Sequence, residues 1–241
     1  MTRAVVTGGA SGIGAATVAR LRRDGARVAA LDLARPRLEA VDADVRVAAD
    51  VGSEEEAQRG IDEAAAALGG LDVLVACAGV AGRGSVVDTT PAEWEQVFAV
   101  NVRGVYLTAR AAIPHLRRAG GGAIVVVASQ LGIVGAAGAA AYCASKGAAI
   151  MLTRAMAIDH GPEGIRVNCV CPGPTATPLL ESYFESSGDP DGDRVAYEHA
   201  QLHGRLIEPE EIADAIAYLA SPGATSTLGT ALVVDGGYSI R

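Results

Sequence analysis

Short runs of apolar, largely β-branched residues recur along this chain of 241 residues: Ala4 to Thr7, Val28 to Asp32, Val45 to Ala48, Val73 to Ala76, Ala123 to Ala128, Val167 to Val170 and Ala231 to Val234. Successive side chains of a strand point to opposite faces, so runs that are apolar at consecutive positions suit strands covered on both sides. Helix-length stretches with their own start and stop signals lie between them. Ser53 with Glu56 reads as a capping box, as does Thr90 with Pro91 and Glu93, and Gly25 after Arg22 and Arg23 reads as a helix stop. The alternation predicts one α/β domain over residues 1–241, a doubly wound, Rossmann-type parallel sheet of about seven strands with helices on both faces.

One connection is out of scale. From Pro178 to about Glu208 some thirty residues separate the sixth strand from the next clear helix, where such units use a handful. A loop of this length is expected to be a lid over the active site. Within it Asp189, Asp191 and Asp193 imitate the opening of a calcium loop, but Arg194 and Ala200 stand where Gly and Glu are needed, so the segment reads as a solvated acidic tip. His199 and His203 read as exposed polar residues of the same lid.

Half the residues are hydrophobic, enough for a sizeable core, while aromatics make up 4% and the formal charge is −8. Scarce aromatics and a surplus of acid exclude nucleic acid as a partner, because phosphate binding needs clustered Lys and Arg. Met1 leads straight into Val5 and Val6 without the basic start and apolar stretch of a secretory signal, so the chain is expected to start in its mature form here and to be cytoplasmic. The most apolar region, Ala123 to Ile158, is interrupted by Ser129, Gln130, Tyr142, Lys146 and Arg154, which excludes a membrane span. Cys77, Cys143, Cys169 and Cys171 sit in apolar surroundings and are expected to be reduced, buried thiols. Cys169 and Cys171 lack a second ligand pair, so a metal site is not expected.

The first apolar run leads directly into Thr7-Gly8-Gly9-Ala10-Ser11-Gly12-Ile13-Gly14, and the helix Ala15 to Arg23 follows at once. Glycines let the backbone turn tightly and approach a pyrophosphate, and a helix N-terminus offers unpaired N–H groups to the anion. Thr17 stands where the third Gly of the common Gly-x-Gly-x-x-Gly spacing would fall, so the loop is a variant. Asp32 ends the second run at about the separation expected of the acid that holds the ribose hydroxyls. Its charge would repel the extra phosphate of NADP, and neither Ser11 nor Leu33 supplies a cation to offset it, which favours NAD.

Tyr142 and Lys146 are four apart in a helical segment, Ala140 to Ile158, and would share one face. A neighbouring ammonium is expected to stabilise the tyrosinate and lower its pKa toward the working range of an acid/base.

With these motifs the chain resembles the short-chain dehydrogenase/reductase family over nearly its whole length. The resemblance rests on Thr7-Gly8-x-x-x-Gly12-x-Gly14, Asn101, Ser129, Tyr142-x-x-x-Lys146 and Pro172-Gly173. It implies that Tyr142 is the general acid/base, Ser129 steadies the substrate oxygen, Lys146 tunes Tyr142 and binds the nicotinamide ribose, and Asn101 anchors a water in a proton relay. It implies further dinucleotide contacts from Asp50 and Val51 at the adenine, from Cys77, Ala78 and Gly79 at a ribose, and from Pro172, Gly173, Thr175 and Thr177 at the nicotinamide and phosphates. Where the family carries Asn-Asn-Ala-Gly, this chain has Ala76-Cys77-Ala78-Gly79, so two side-chain amides that hold backbone together are missing.

The resulting expectation is an NAD-dependent oxidoreductase that moves a hydride between the cofactor and a small secondary alcohol or ketone, assembled as a homo-oligomer, a tetramer or dimer, through the helices near Pro91 to Leu116 and Ala140 to Ile158. An NADP-linked reductase of 3-oxoacyl groups on a carrier protein is one alternative, opposed by Asp32 and the acidic charge. A non-catalytic dinucleotide sensor is the other, opposed by the joint presence of Asn101, Ser129, Tyr142 and Lys146. Residues near Gln130, Leu131 and Val134, with the lid, are expected to set the substrate.

Overall fold

The computed structural model of the protein describes residues 1–33 and 35–240. Each apolar run is a strand: β1 (Arg3–Thr7), β2 (Arg27–Asp32), β3 (Val45–Ala48), β4 (Val73–Ala76), β5 (Gly122–Val127), β6 (Ile165–Pro172) and β7 (Ala231–Val234). They form a single parallel sheet in the order β3-β2-β1-β4-β5-β6-β7. β6 runs beyond the expected Val167 to Val170 at both ends. At its start the Arg166 guanidinium donates to the carbonyls of Leu219, Ala220, Ser221 and Ala224, which are polar groups an apolar pattern does not reveal.

Alternate residues of the strands feed two cores. Val5, Leu31, Leu74 and Val126 face one side, covered by α3 (Glu54–Leu68), α5 (Gly104–Arg118) and α6 (Ala140–His160). Val6, Val28, Val75 and Val125 face the other, covered by α1 (Gly12–Arg23) and α9 (Pro209–Ala220). Each fully buried Leu or Ile contributes about 1.5–3 kcal/mol. Ile61, Leu74, Leu116, Ile124, Ile212 and Ile216 are all in that class, so the sheet and its two helix layers hold the loops rather than the reverse.

Helix starts follow the caps with one change. Thr90 and Glu93 complete a reciprocal box at the start of α4 (Pro91–Phe98). Ser53 accepts from the Glu56 N–H, but the Glu56 carboxylate turns instead to the Asp50 N–H at 2.9 Å, so the expected second box is only half made and ties the β3 end to α3. α1 begins earlier than Ala15 because Gly12 and Gly14 themselves form its first turn after Ser11, and Gly25 follows its end with φ +86°. Between α4 and α5 the residues Ala99–Arg103 form a π-helical turn, so the two helices are continuous.

The connection after β6 departs from expectation. The thirty-residue loop is replaced by two short helices, α7 (Pro178–Glu185) and α8 (Pro190–His199). Thr177 caps the first, accepting from the Leu180 N–H, and Asp189 caps the second, accepting from Gly192 N–H, each with Pro in the next position. Asp189 is therefore a cap, and Asp193 pairs with Arg83 at 3.6 Å. His199 ends α8 and His203 lies in the turn beyond. Among the described residues no helix is long and apolar enough to cross a membrane.

Candidate active site

The crossover from β1 leaves toward β2 on one side and β4 lies on the other, which opens a crevice at the carboxyl ends of the strands, where open α/β sheets bind ligands. The β1–α1 turn lines it. A side chain at Gly14 would overlap the Gly8 carbonyl oxygen, so only glycine lets α1 start this close to β1. Gly12, at φ +49°, sits with its Cα against Thr177, where an added Cβ would meet the methyl group at 3.0 Å. Ser11 stands at the N-cap in extended conformation and its side chain makes no cap bond, so the hydroxyl does not cover the first N–H groups of α1. Helix-start groups of this kind can accept an anion.

At the β2 end the Asp32 carboxylate accepts the Ala10 N–H at 3.1 Å, which fixes it beside the turn. Asp50 accepts from Gly52 N–H at 2.8 Å, and Val51 is buried against Gly104. At the β4 end the Thr7 hydroxyl accepts from both the Cys77 and Ala78 N–H groups, at 3.1 and 3.2 Å. That clamp holds the backbone across Cys77-Ala78, where the two amide side chains of the Asn-Asn form are absent. Burial pushes the Cys77 thiol up to about 12, so it stays protonated. All four cysteines are free thiols, Cys169 and Cys171 fully buried in β6.

Ser129, Tyr142 and Lys146 converge beside this crevice. Ser129 follows β5, caps a short 3₁₀ turn by accepting the Leu131 N–H at 3.1 Å, and lines the same cavity as Tyr142. Tyr142 and Lys146 share a face of α6, with the Lys146 Nζ 5.6 Å from the ring centre of Tyr142. The ammonium donates to the Val127 carbonyl at 2.9 Å and is buried. Burial pushes the Tyr142 hydroxyl up to about 12, the polar Ser129 side chain opposing it, and pulls Lys146 down to about 8. The expected lowering of Tyr142 is therefore not found in the protein by itself: loss of hydration outweighs the opposing influence of Ser129, while the Lys146 ammonium is bound to the Val127 carbonyl.

Asn101 is buried in the π-helical turn, and its side chain is fully engaged. Its Oδ1 accepts the Val80 N–H, while its Nδ2 donates to the Val80 carbonyl and to Ser145 Oγ, which itself donates to the Tyr142 carbonyl. The amide ties the segment after β4 to α6 and does not line the crevice. Thr175 donates to the Gly173 carbonyl at 2.8 Å, and Thr177 to the Thr175 carbonyl at 3.3 Å, so the segment after β6 is held by its own hydroxyls.

One cavity of about 480 Å³ joins these parts, and every other residue expected at the dinucleotide or the chemistry lines it. Lining residues not named from the sequence include Arg37 of α2 (Arg35–Ala40), and Leu179, Tyr183 and Tyr197 of α7 and α8. Arg37 follows Asp32 by five positions, a signal available in the sequence. The aromatic pair carried no such signal, because its place depends on how α7 and α8 fold back.

Residues 8–239 match the family model described as Enoyl-(Acyl carrier protein) reductase. The chain is 43% identical to cis-4-hydroxycyclohexanecarboxylate dehydrogenase of Sinomonas cyclohexanicum, over 98% of this chain and 96% of that protein. Among solved structures, levodione reductase superimposes with a TM-score of 0.96 at 30% identity, covering 100% of this chain and 98% of the other. The 3-ketoacyl-(acyl-carrier-protein) reductase of Brucella melitensis, complexed with NADH, does so with a TM-score of 0.91 at 34% identity, covering 99% and 98%. Fold, glycine turn, reactive cluster and these matches agree: the chain belongs to the short-chain dehydrogenase/reductase family.

Proposed function

We propose that the protein catalyses reversible NAD(H)-dependent hydride transfer between a secondary alcohol and its ketone, with Tyr142 as the general acid/base. The observation that carries this reading is the meeting of Ser129, Tyr142 and Lys146 in one cavity with the Gly8–Gly14 turn. The Sinomonas relative is named for a ring alcohol and the closely superimposable structure for the reduction of levodione, which supports alcohol and ketone as the exchanged pair.

The nicotinamide gives or takes the hydride, and the protein aligns and polarises. Gly8, Ser11, Gly12, Ile13 and Gly14 hold the pyrophosphate through main-chain N–H groups. Asp32 and Leu33 take the adenosine ribose, and Asp50 with Val51 borders the adenine. Main chain at Cys77, Ala78 and Gly79, with the Lys146 ammonium, holds the second ribose; Pro172, Gly173, Thr175 and Thr177 close over the nicotinamide side. Ser129 donates to the substrate oxygen and Tyr142 moves its proton. Because the Asn101 side chain is spent, its part in a relay falls to main chain in the π-helical turn, a feature frequent at functional sites.

NAD is favoured over NADP because Asp32 is a carboxylate fixed by the Ala10 amide at the strand end, whereas Arg37 is an exposed side chain. A homo-oligomer, tetramer or dimer, through α4–α5 and α6 is part of the proposal, supported by Tyr106, Met151 and Ile158, apolar and exposed on those helices. Sedimentation showing only the 24.3 kDa monomer at micromolar concentration overturns that part.

The test of the whole is NADH absorbance with a panel of secondary alcohols, sugars, hydroxysteroids and cyclic diols, each with NAD and NADP. Turnover with NAD ahead of NADP is expected. Dinucleotide binding without turnover of any alcohol or ketone would leave the sensor reading, and NADP-linked reduction of 3-oxoacyl thioesters alone would leave the carrier-linked one.

A further inference from the structure

We infer that the alcohol taken by this site is uncharged and apolar around its carbinol, without carboxylate, phosphate or ammonium; this rests on the alcohol/ketone reading above. The charges of the cavity are unevenly placed. Asp32, Asp50 and Arg37 all lie at the β2–β3 end, across β1 from the reactive cluster. Toward Ser129 and Tyr142 the lining includes Leu131, Ala137, Ala139, Leu179, Tyr183 and Tyr197 with the uncharged polar Gln130 and Ser182, and among the described lining residues Lys146 is the one ionisable cation there. Lys146 is buried, and its ammonium is bound to the Val127 carbonyl.

The guanidinium groups behind the wall are already used. Arg83 lies over the Tyr183 ring at 4.1 Å, donates to the Tyr183 carbonyl at 3.1 Å and faces Asp193 at 3.6 Å. Arg194 pairs with Glu181 and lies over the Phe184 ring at 5.5 Å. The Tyr183 and Tyr197 rings lie 6.1 Å apart, tilted, and both line the cavity. A carboxylate brought among these side chains sheds water and meets as counter-charge only the buried Lys146 ammonium, already bound to the Val127 carbonyl, while a hydrocarbon ring loses nothing and gains contact. An ammonium meets the positive charge of Lys146. The substrate for which the Sinomonas relative is named carries a carboxylate, so the inference separates this chain from what that name states.

The test uses a pair that differs in charge and not in ring: cis-4-hydroxycyclohexanecarboxylate and its methyl ester, assayed with NAD. The ester is expected to exceed the acid by roughly 100-fold in kcat/KM. An acid used as well as the ester, or better, overturns the inference. A second arm needs no turnover: calorimetric titration of the NADH-saturated protein with cyclohexanecarboxylate and with its methyl ester, the ester expected to bind at least about tenfold tighter. Equal or tighter binding of the anion overturns the inference whatever the kinetics show. Failure of every alcohol in the panel, with the ester still bound more tightly, strikes the alcohol/ketone reading and leaves the charge inference standing.

Discussion

At the β1–α1 end of the cavity the main chain makes the surface, with Gly14 against the Gly8 carbonyl and the Cys77 and Ala78 amides on Thr7. At the α7–α8 end side chains make it, with Tyr183 under Arg83 and Tyr197 packed on Phe184 at 5.3 Å. A main-chain surface is set by strand ends and cannot change without changing the fold. A side-chain surface on two short capped helices can be replaced while both cores stay intact. The first region therefore suits a constant ligand, the dinucleotide, and the second suits a substrate that differs between relatives.

The reactive cluster stands between the two, and its removal gives the largest effect. Tyr142→Phe deletes one hydroxyl and keeps the ring, so turnover is expected to fall about 10²- to 10⁴-fold with NADH affinity nearly unchanged. A phenylalanine variant that oxidises the best alcohol near the parent rate removes Tyr142 from the mechanism. Because burial holds the phenol up at about 12, the proton donor form prevails at neutral pH and the acceptor form grows as pH rises. Alcohol oxidation is expected to climb with pH, while ketone reduction stays level and then falls as Lys146 discharges above about 8. Initial rates in both directions across the range check this; an oxidation rate that falls with rising pH contradicts it.

Gly14→Ala tests the main-chain end. The new methyl would overlap the Gly8 carbonyl, so α1 must shift, at a cost on the order of overpacking, about 1–3 kcal/mol. Lower thermal stability and at least roughly tenfold weaker dinucleotide binding are expected together, since 1.4 kcal/mol is a factor of ten. Unchanged affinity would show that the turn does not need glycine for close approach. Asp32→Ala is milder. It removes a charged hydrogen-bond acceptor worth about 1.5–3 kcal/mol and leaves the turn, so NAD affinity should drop roughly tenfold to a hundredfold while NADP improves relative to it. If the parent protein uses both cofactors equally, the fixed carboxylate does not select.

The contrast between the ends also explains what could be read in advance. Seven strands, the β1–α1 turn and Asp32 follow from local patterns, because each depends on residues adjacent in the chain. Tyr142 and Lys146 were legible as a pair through helix spacing, but the direction of the phenol shift was not, since it depends on burial by segments brought together in the fold. Asn101 was found by motif, whereas its bonds to Val80 and Ser145 were not, because they join segments brought together by the fold. The α7–α8 segment read as a loop because length and Asp content dominated, although Thr177-Pro178 and Asp189-Pro190 were helix starts in plain view.

Arg83→Ala is the smallest change and bears on α7 and α8 directly. Arg83 lies in the segment after β4, outside α7 and α8, and joins them by a ring contact, a hydrogen bond to the Tyr183 carbonyl and the Asp193 pair. The ion pair is partly exposed and is worth little, so the cation–π contact and the carbonyl bond carry most of the tie, about 1 kcal/mol in all. Losing it does not reach the two cores, and global stability should barely move. It should raise the open population of α7 and α8 about fivefold, because 1 kcal/mol is a factor of about five, and local opening is sampled separately from global unfolding. Limited proteolysis should then cut faster within residues 178–208, with dinucleotide affinity unaltered and the KM for the alcohol modestly raised. NADH with a substrate analogue should restore protection if the segment closes over the bound pair. Cleavage at the parent rate would mean that α7 and α8 hold their place through Phe184 and Tyr197 alone, and that the side-chain end of the cavity is as fixed as the main-chain end.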